Sequence, residues 1–203
     1  MDPLIRITAT AAPLDLANVN TDQLFPARFI KKPRAVGYAQ YAFHDIRRDD
    51  EGNLRSEFPL NQLRYSEAKI LVAGANFGSG SSREGAVYTL YDAGFRAIFA
   101  PSFGEIFASN CLKNGVLAVA LPAQIITDIQ TKLATLEPTM TVDLQDETIK
   151  LSSGEIIAIP LDPFQKRCLM EGLNEIDLSL EFSAQITAFE AQYRARFPWI
   201  AGS

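Results

Sequence analysis

Residues 69–121 read "KILVAGANFGSGSSREGAVYTLYDAGFRAIFAPSFGEIFASNCLKNGVLAVAL", and the order of apolar and polar runs in this stretch decides the fold. "AKILVAG" is a short continuous apolar strand, "SSREGAVYTLYDAG" a helix closed by Gly94, and "FRAIFA" a second strand. "SFGEIFASNCLKNG" is a second helix ended by Gly115, and "VLAVAL" a third strand. Strand, helix, strand, helix, strand at this spacing predicts crossovers onto a parallel sheet whose strands are covered on both faces.

Outward from this block, Gln124 to Leu136 reads as a helix stopping before Glu137 and Pro138. "TMTVDLQDETIKLSSGEIIAIPL" then alternates, with turns near Gln145 to Glu147 and Ser153 to Gly154, and predicts a three-stranded antiparallel meander. "DPFQKRCLMEG" and "LEFSAQITAFEAQYRARF" predict two tail helices. On the N-terminal side, Ile5 to Thr8 reads as a strand and "LANVNTDQLFPARFI" as side-chain-bonded turns. Residues 31–63 lack sustained periodicity and predict a long mobile loop. No linker, repeat or low-complexity tract divides the chain, so residues 1–203 are expected to form one domain.

The totals narrow the function classes. The 203 residues are 47% apolar, enough for a sizeable core, and 19 basic against 24 acidic residues give a net charge of −5. That balance argues against nucleic acid or an anionic membrane as the partner. The N-terminus has no basic start followed by an apolar core, and no run reaches the roughly 20 apolar residues of a membrane span, so a cytoplasmic location is expected. Cys111 and Cys168 lie far apart without metal-ligand spacing, and His44 is the one histidine. This chain is therefore expected to hold neither a zinc ion nor an iron–sulfur cluster with its own side chains.

"GANFGSGSSREG", residues 74–85, leaves a strand and opens a helix, which is where unpaired N–H groups and the helix dipole make an anion site. Gly78 and Gly80 permit close approach, Ser79, Ser81 and Ser82 offer hydroxyls, and Arg83 offers a fork for a carboxylate or phosphate. Ser81 and Glu84 also fit the S-x-x-E capping box, as do Ser102 and Glu105, so spacing alone leaves a purely structural role open. The turn lacks the Gly-Lys-Ser/Thr ending of a P-loop, and Arg83 takes the place of the third glycine of a dinucleotide-binding turn. Residues alone thus lead to an α/β protein that binds a small anion.

"ANFGSGSSREG" with "AGFRAIFAPSFGEIFASNCLKNGVLAVAL" closely resembles the small-subunit family of 3-isopropylmalate dehydratase, related to the swivelling C-terminal domain of aconitases. The likeness extends to "PLDLANVNTDQLFPARFI", "FHDIR" and "DPFQKRCLMEGLNEIDLSL". It implies a swivelling-domain β/β/α fold: a parallel core sheet with helices on its faces and an antiparallel β extension. It also implies a hydro-lyase of leucine biosynthesis that is active only with a large subunit, as heterodimer or heterotetramer, whose four-iron four-sulfur cluster binds a small dicarboxylate.

Carried over by position, Ser81 matches the serine that removes the proton alpha to a carboxylate, Ser82 a substrate-site serine, and Arg83 a carboxylate-binding arginine. Thr21 and Asp22 match the Thr-Asp of the early loop, whose aspartate the resemblance implies is a catalytic-site residue, Arg28 matches a further substrate arginine, and His44 lies where the family reads the substrate's side group. Lys113, near a helix end, reads as a dipole partner. Two positions depart from the family's common "GCGSSREHAP": Ser79 stands for the cysteine and Gly85 for the histidine. The Ser-Ser-Arg core is intact, which leaves open a relative acting on another 2-hydroxy diacid (homoaconitase, citraconate or dimethylmaleate hydratase type) or a non-catalytic anion binder.

Overall fold

The computed structural model describes residues 1–200. One seven-stranded sheet runs through it: β1 (Arg6–Leu14), β2 (Ile70–Ala73), β3 (Ala97–Ala100), β4 (Leu117–Ala120), β5 (Thr139–Asp143), β6 (Thr148–Leu151) and β7 (Ile156–Ala158), in spatial order β4-β3-β2-β1-β5-β6-β7. β1 to β4 pair in parallel, and β5 to β7 extend the sheet as an antiparallel meander attached to β1. This is the parallel core with antiparallel extension that the apolar runs predict. β1 is longer than the expected Ile5 to Thr8, because its first half pairs with β5 and its second half with β2.

Every residue of β2 and β3 is buried, and their alternate side chains enter two separate cores. On one face Leu14, Leu71, Ala73 and Ile98 pack with Val87 and Leu90 of helix α2 (Glu84–Asp92) and Phe107 and Cys111 of α3 (Glu105–Lys113). On the other, Ile70, Val72 and Phe99 meet Ile126, Ile129 and Leu133 of α4 (Ala123–Thr135), together with Met140, Val142 and Ile149 of the meander. Gln130, buried on α4, donates to the Val72 carbonyl at 3.0 Å.

Residues 31–63 form short 3-10 turns rather than regular elements, and Tyr38, Ala42, Phe43 and Phe58 bury into the first core. Phe25 stacks on Tyr38 at 4.7 Å, so aromatic packing ties this stretch to the sheet-covering layer. The tail holds three helices where two were expected: α5 (Pro163–Glu171), α6 (Glu175–Leu180) and α7 (Ser183–Arg196). Asn174 caps α6 by accepting from the Ile176 and Asp177 N–H groups, which divides the tail. No residue of α7 is buried.

Neither of the two possible capping boxes forms. The N-cap of α2 is Arg83 and that of α3 is Gly104, neither with a side-chain cap. Ser81 falls two residues before the cap, and the Ser102 hydroxyl instead accepts from the Asn76 N–H at 2.9 Å. The reason lies in a ladder that continues past the strand ends. Asn20 pairs with Ser79 and Phe77 with Phe103 as isolated parallel bridges, so the turns after β1, β2 and β3 are zipped side by side. Gly78 donates to the Val19 carbonyl at 2.7 Å, Thr21 to Ser79 at 2.9 Å, and Phe77 to Ser102 at 3.0 Å.

Gly78 has φ +72°, and a Cβ there would lie 2.1 Å from the Phe107 ring. Gly78→Ala combines left-handed strain with a buried clash and should destabilise the fold by about 3 kcal/mol, read as a lower urea midpoint; an unchanged midpoint would contradict this packing.

Candidate active site

The site is assembled from two turns that the extended ladder holds together. Four-residue helix α1 (Thr21–Leu24) opens the first, and its N-cap Asn20 forms a full capping box with Gln23. Its signal in the sequence is the Asn-x-x-Gln spacing of "NTDQ", which the reading of this stretch as turns passed over. Thr21 is buried, and its hydroxyl donates to the Ser81 carbonyl at 3.0 Å while its N–H donates to Ser79. Thr21 thereby fixes the backbone on both sides of Gly80.

Ser81 and Ser82 are exposed on this turn. Among the described residues, the backbone N–H groups of Ser79, Gly80, Ser81 and Ser82 donate to no protein acceptor. Four consecutive free donors lie just before the positive end of α2, where an anion is favoured electrostatically. Gly80, at φ +95°, supplies the left-handed residue inside it.

Arg83 leaves the same turn and donates through Nη1 and Nη2 to the two carboxylate oxygens of Asp22, at 2.5 and 3.4 Å. Ala27 N–H adds a bond to Asp22 at 2.9 Å. The Arg83 hydrogen bond is the main reason that the Asp22 carboxyl is held below its ordinary value, and Asp22 is therefore an anion at any physiological pH. Arg83 is the more enclosed partner, with 23% of its side chain exposed against 55% for Asp22.

A second cluster faces the same side. Arg28 donates through Nη1 to Asp45 Oδ2 at 2.7 Å and through Nη2 to Oδ1, and His44 Nδ1 lies 3.0 Å from Oδ1. A cavity of about 360 Å³ lined by Asn20, Asp22, Gln23, Pro26, Arg28 and Asp45 brings the two clusters to one opening. Ser81 and Ser82 are not among its lining residues. A larger cleft, about 500 Å³, is elsewhere: Leu14, Leu16, Ile46 and Phe58 line it, and Gln23 is its one residue in common with the charged cavity. Its wall is mainly apolar, with Asp15, Arg55 and Glu57 at its edge, so the charged cavity and adjoining turn are the candidate site.

Sequence reasoning missed Asp45, which lies inside the quoted "FHDIR" beside His44. Its pairing with Arg28 spans 17 residues, and no local spacing announces it. The structure ties Thr21 and Asp22 to the Ser79–Arg83 turn and joins Arg28 to His44; it places Lys113 against Glu175 of α6 at 2.8 Å. Both thiols are buried, Cys111 in α3 and Cys168 in α5. Among the described residues no three His, Cys, Asp or Glu side chains gather as a metal site.

Residues 1–124 match the family model of the aconitase C-terminal domain, and residues 175–203 match that of the C-terminal domain of the 3-isopropylmalate dehydratase small subunit. Curated 3-isopropylmalate dehydratase small subunits are similar over their whole length. That of Roseobacter denitrificans is 45% identical, with 98% of this chain and 100% of the relative covered, and that of Rhodospirillum centenum is 42% identical with both chains fully covered. The chain belongs to the 3-isopropylmalate dehydratase small-subunit family. A crystal structure of 3-isopropylmalate dehydratase from Methanocaldococcus jannaschii shares the fold, with TM-score 0.62 and 22% identity over 92% of this chain and 99% of that one.

At Gly85 the space beside the first turn of α2 is narrow. A Cβ there would lie 3.0 Å from two carbons of the buried Phe25 ring, so a side chain at this position requires the ring to shift by a few tenths of an ångström.

Arg28 holds the Asp45 carboxyl at about 2 against an ordinary 3.8. A depressed carboxyl stabilises the fold above its unfolded value, and this contribution fades as pH falls from 3.8 through about 2. A carbon-13 titration of Asp45 should therefore move its midpoint up toward 3.8 in Arg28→Gln; equal midpoints in both proteins would contradict the pairing.

Proposed function

We propose that Ser81 is the base of a dehydration and rehydration reaction, with Arg83 as the clamp for a substrate carboxylate. The chain is a 3-isopropylmalate dehydratase small subunit, part of a hydro-lyase of leucine biosynthesis, and the reading concerns which of its atoms do the work. The observation that carries it is the exposed Ser81 hydroxyl on a turn whose Ser79–Ser82 N–H groups are unpaired within the chain.

A serine hydroxyl is a poor base, so it must act as an alkoxide, and fixed donors around it lower the cost of that charge. Free N–H groups, the N-terminus of α2 and the Arg83 guanidinium supply such donors. Ser81 Oγ takes the proton from the carbon alpha to a carboxylate, the hydroxyl on the neighbouring carbon departs, and the alkene regains water at the other carbon. The sum interconverts 2-isopropylmalate and 3-isopropylmalate. Asp22 keeps Arg83 extended toward the substrate, Ser82 and Ser79 bind at the rim, and Gly78 and Gly80 let the backbone approach.

The four-iron four-sulfur cluster expected in the large subunit supplies Lewis acidity toward the departing hydroxide. The small-subunit family name implies a large-subunit partner, and the cluster is part of this reading. An exposed apolar stripe of Phe182, Ile186, Phe189 and Tyr193 along α7 supports assembly with another chain, as heterodimer or heterotetramer. The chain is read as one swivelling domain in the cytoplasm.

Ser81→Ala, mixed with a cluster-bearing large subunit, should lower kcat roughly 10³-fold while leaving assembly intact. Alkene formation followed by ultraviolet absorbance measures it, and near-normal turnover would remove Ser81 as the base. If the unmutated complex acts on citraconate or dimethylmalate in preference to 3-isopropylmalate, the substrate assignment falls and the base assignment stands.

A further inference from the structure

The Arg28–Asp45 pair stands as a partition between two cavities. One, about 360 Å³, also touches Asp22; the other, about 320 Å³, is lined on its far side by Arg48, Asp49, Asp50 and Gly52. Arg28 is held from two directions: both Asp45 oxygens accept from its Nη atoms, and its guanidinium carbon lies 4.5 Å from the Phe29 ring centroid. His44 packs beside the pair, with Nδ1 3.0 Å from Asp45 Oδ1 and its ring 5.0 Å from that of Phe29.

Stability does not account for this arrangement. Arg28 is 53% exposed and Asp45 46%, and exposed ion pairs add little to folding. What the arrangement achieves is order: a long side chain with several free torsions is confined to one place on the wall of the charged cavity. Asp45 takes two of the five guanidinium N–H donors, so others remain for a second carboxylate.

We infer that Asp45 is a positioning residue for substrate binding, holding Arg28 so that its remaining donors meet the dicarboxylate on the Asp22 side. This rests on the reading of Arg28 as a substrate arginine. Asp45 itself touches neither the reacting carbon nor its proton, so its removal should weaken binding and spare the chemical step.

The test compares unmutated protein, Asp45→Asn and Asp45→Glu, each assembled with the cluster-bearing large subunit. Asp45→Asn should raise KM for 3-isopropylmalate roughly tenfold with kcat changed less than about twofold. Asp45→Glu should recover part of the loss, and Asp45→Asn should add nothing in an Arg28→Lys background. In the full chain alone, the Arg28 Nε–H resonance should be sharp and should broaden in Asp45→Asn, with the same thermal midpoint. An unchanged KM, a fall in kcat without a change in KM, or an identical Arg28 resonance would overturn the inference. An unmutated complex inactive on 3-isopropylmalate would fail the enzymatic reading instead, and the Arg28 resonance alone would then decide the positioning role.

Discussion

The site depends on hydrogen bonds that continue the parallel ladder beyond the ends of its strands. Strand β2 stops at Ala73, yet Gly78 still donates to Val19 and Thr21 to Ser79, so the turns after β1 and β2 remain neighbours. Without this continuation, a turn as rich in glycine and serine as residues 74–85 would sample many conformations. With it, the Ser81 carbonyl is tied to the Thr21 hydroxyl, and Ser81 is presented from a defined backbone. The close approach of Gly104 to the Gly78 carbonyl, where an added Cβ would lie 2.5 Å away, completes the same packing from the β3 side.

Charge is organised on that frame in two pairs. Asp22 and Asp45 each take a guanidinium by both oxygens, and each is lowered below an ordinary carboxyl by its arginine. The arginines remain cationic and held in place, which suits recognition of a dianionic substrate. The backbone donors of Ser79 to Ser82 differ in kind: they are uncommitted within the chain, and their partner must come from outside it. Rigid side chains and open backbone donors together make a surface suited to completion by the large subunit and its substrate.

Much of this was legible in the residues. Continuous apolar runs at Ile70–Ala73 and Ala97–Ala100 announce parallel strands, since both of their faces are covered, and alternation after Thr139 announces the meander. The capping boxes stayed open in the sequence because Ser-x-x-Glu spacing describes local geometry alone. Cross-turn bonds from Thr21 to the Ser79–Ser81 segment hold that backbone, and the N-cap of α2 falls on Arg83. Asp45 was illegible for a related reason: its meaning comes from Arg28, 17 residues away, whose guanidinium also lies over the Phe29 ring. Gly85 read as a departure that leaves another substrate open, and the fold adds that a Cβ there would lie 3.0 Å from the Phe25 ring.

Amide hydrogen exchange tests the central claim most directly. In the chain alone, the amides of Gly78 and Thr21 should be protected and those of Ser79, Gly80, Ser81 and Ser82 should exchange near the rate of free peptide. Adding the large subunit with a dicarboxylate substrate should slow exchange at Ser79 to Ser82. Protection of those four amides in the isolated chain, or no change on adding both components, would contradict the account.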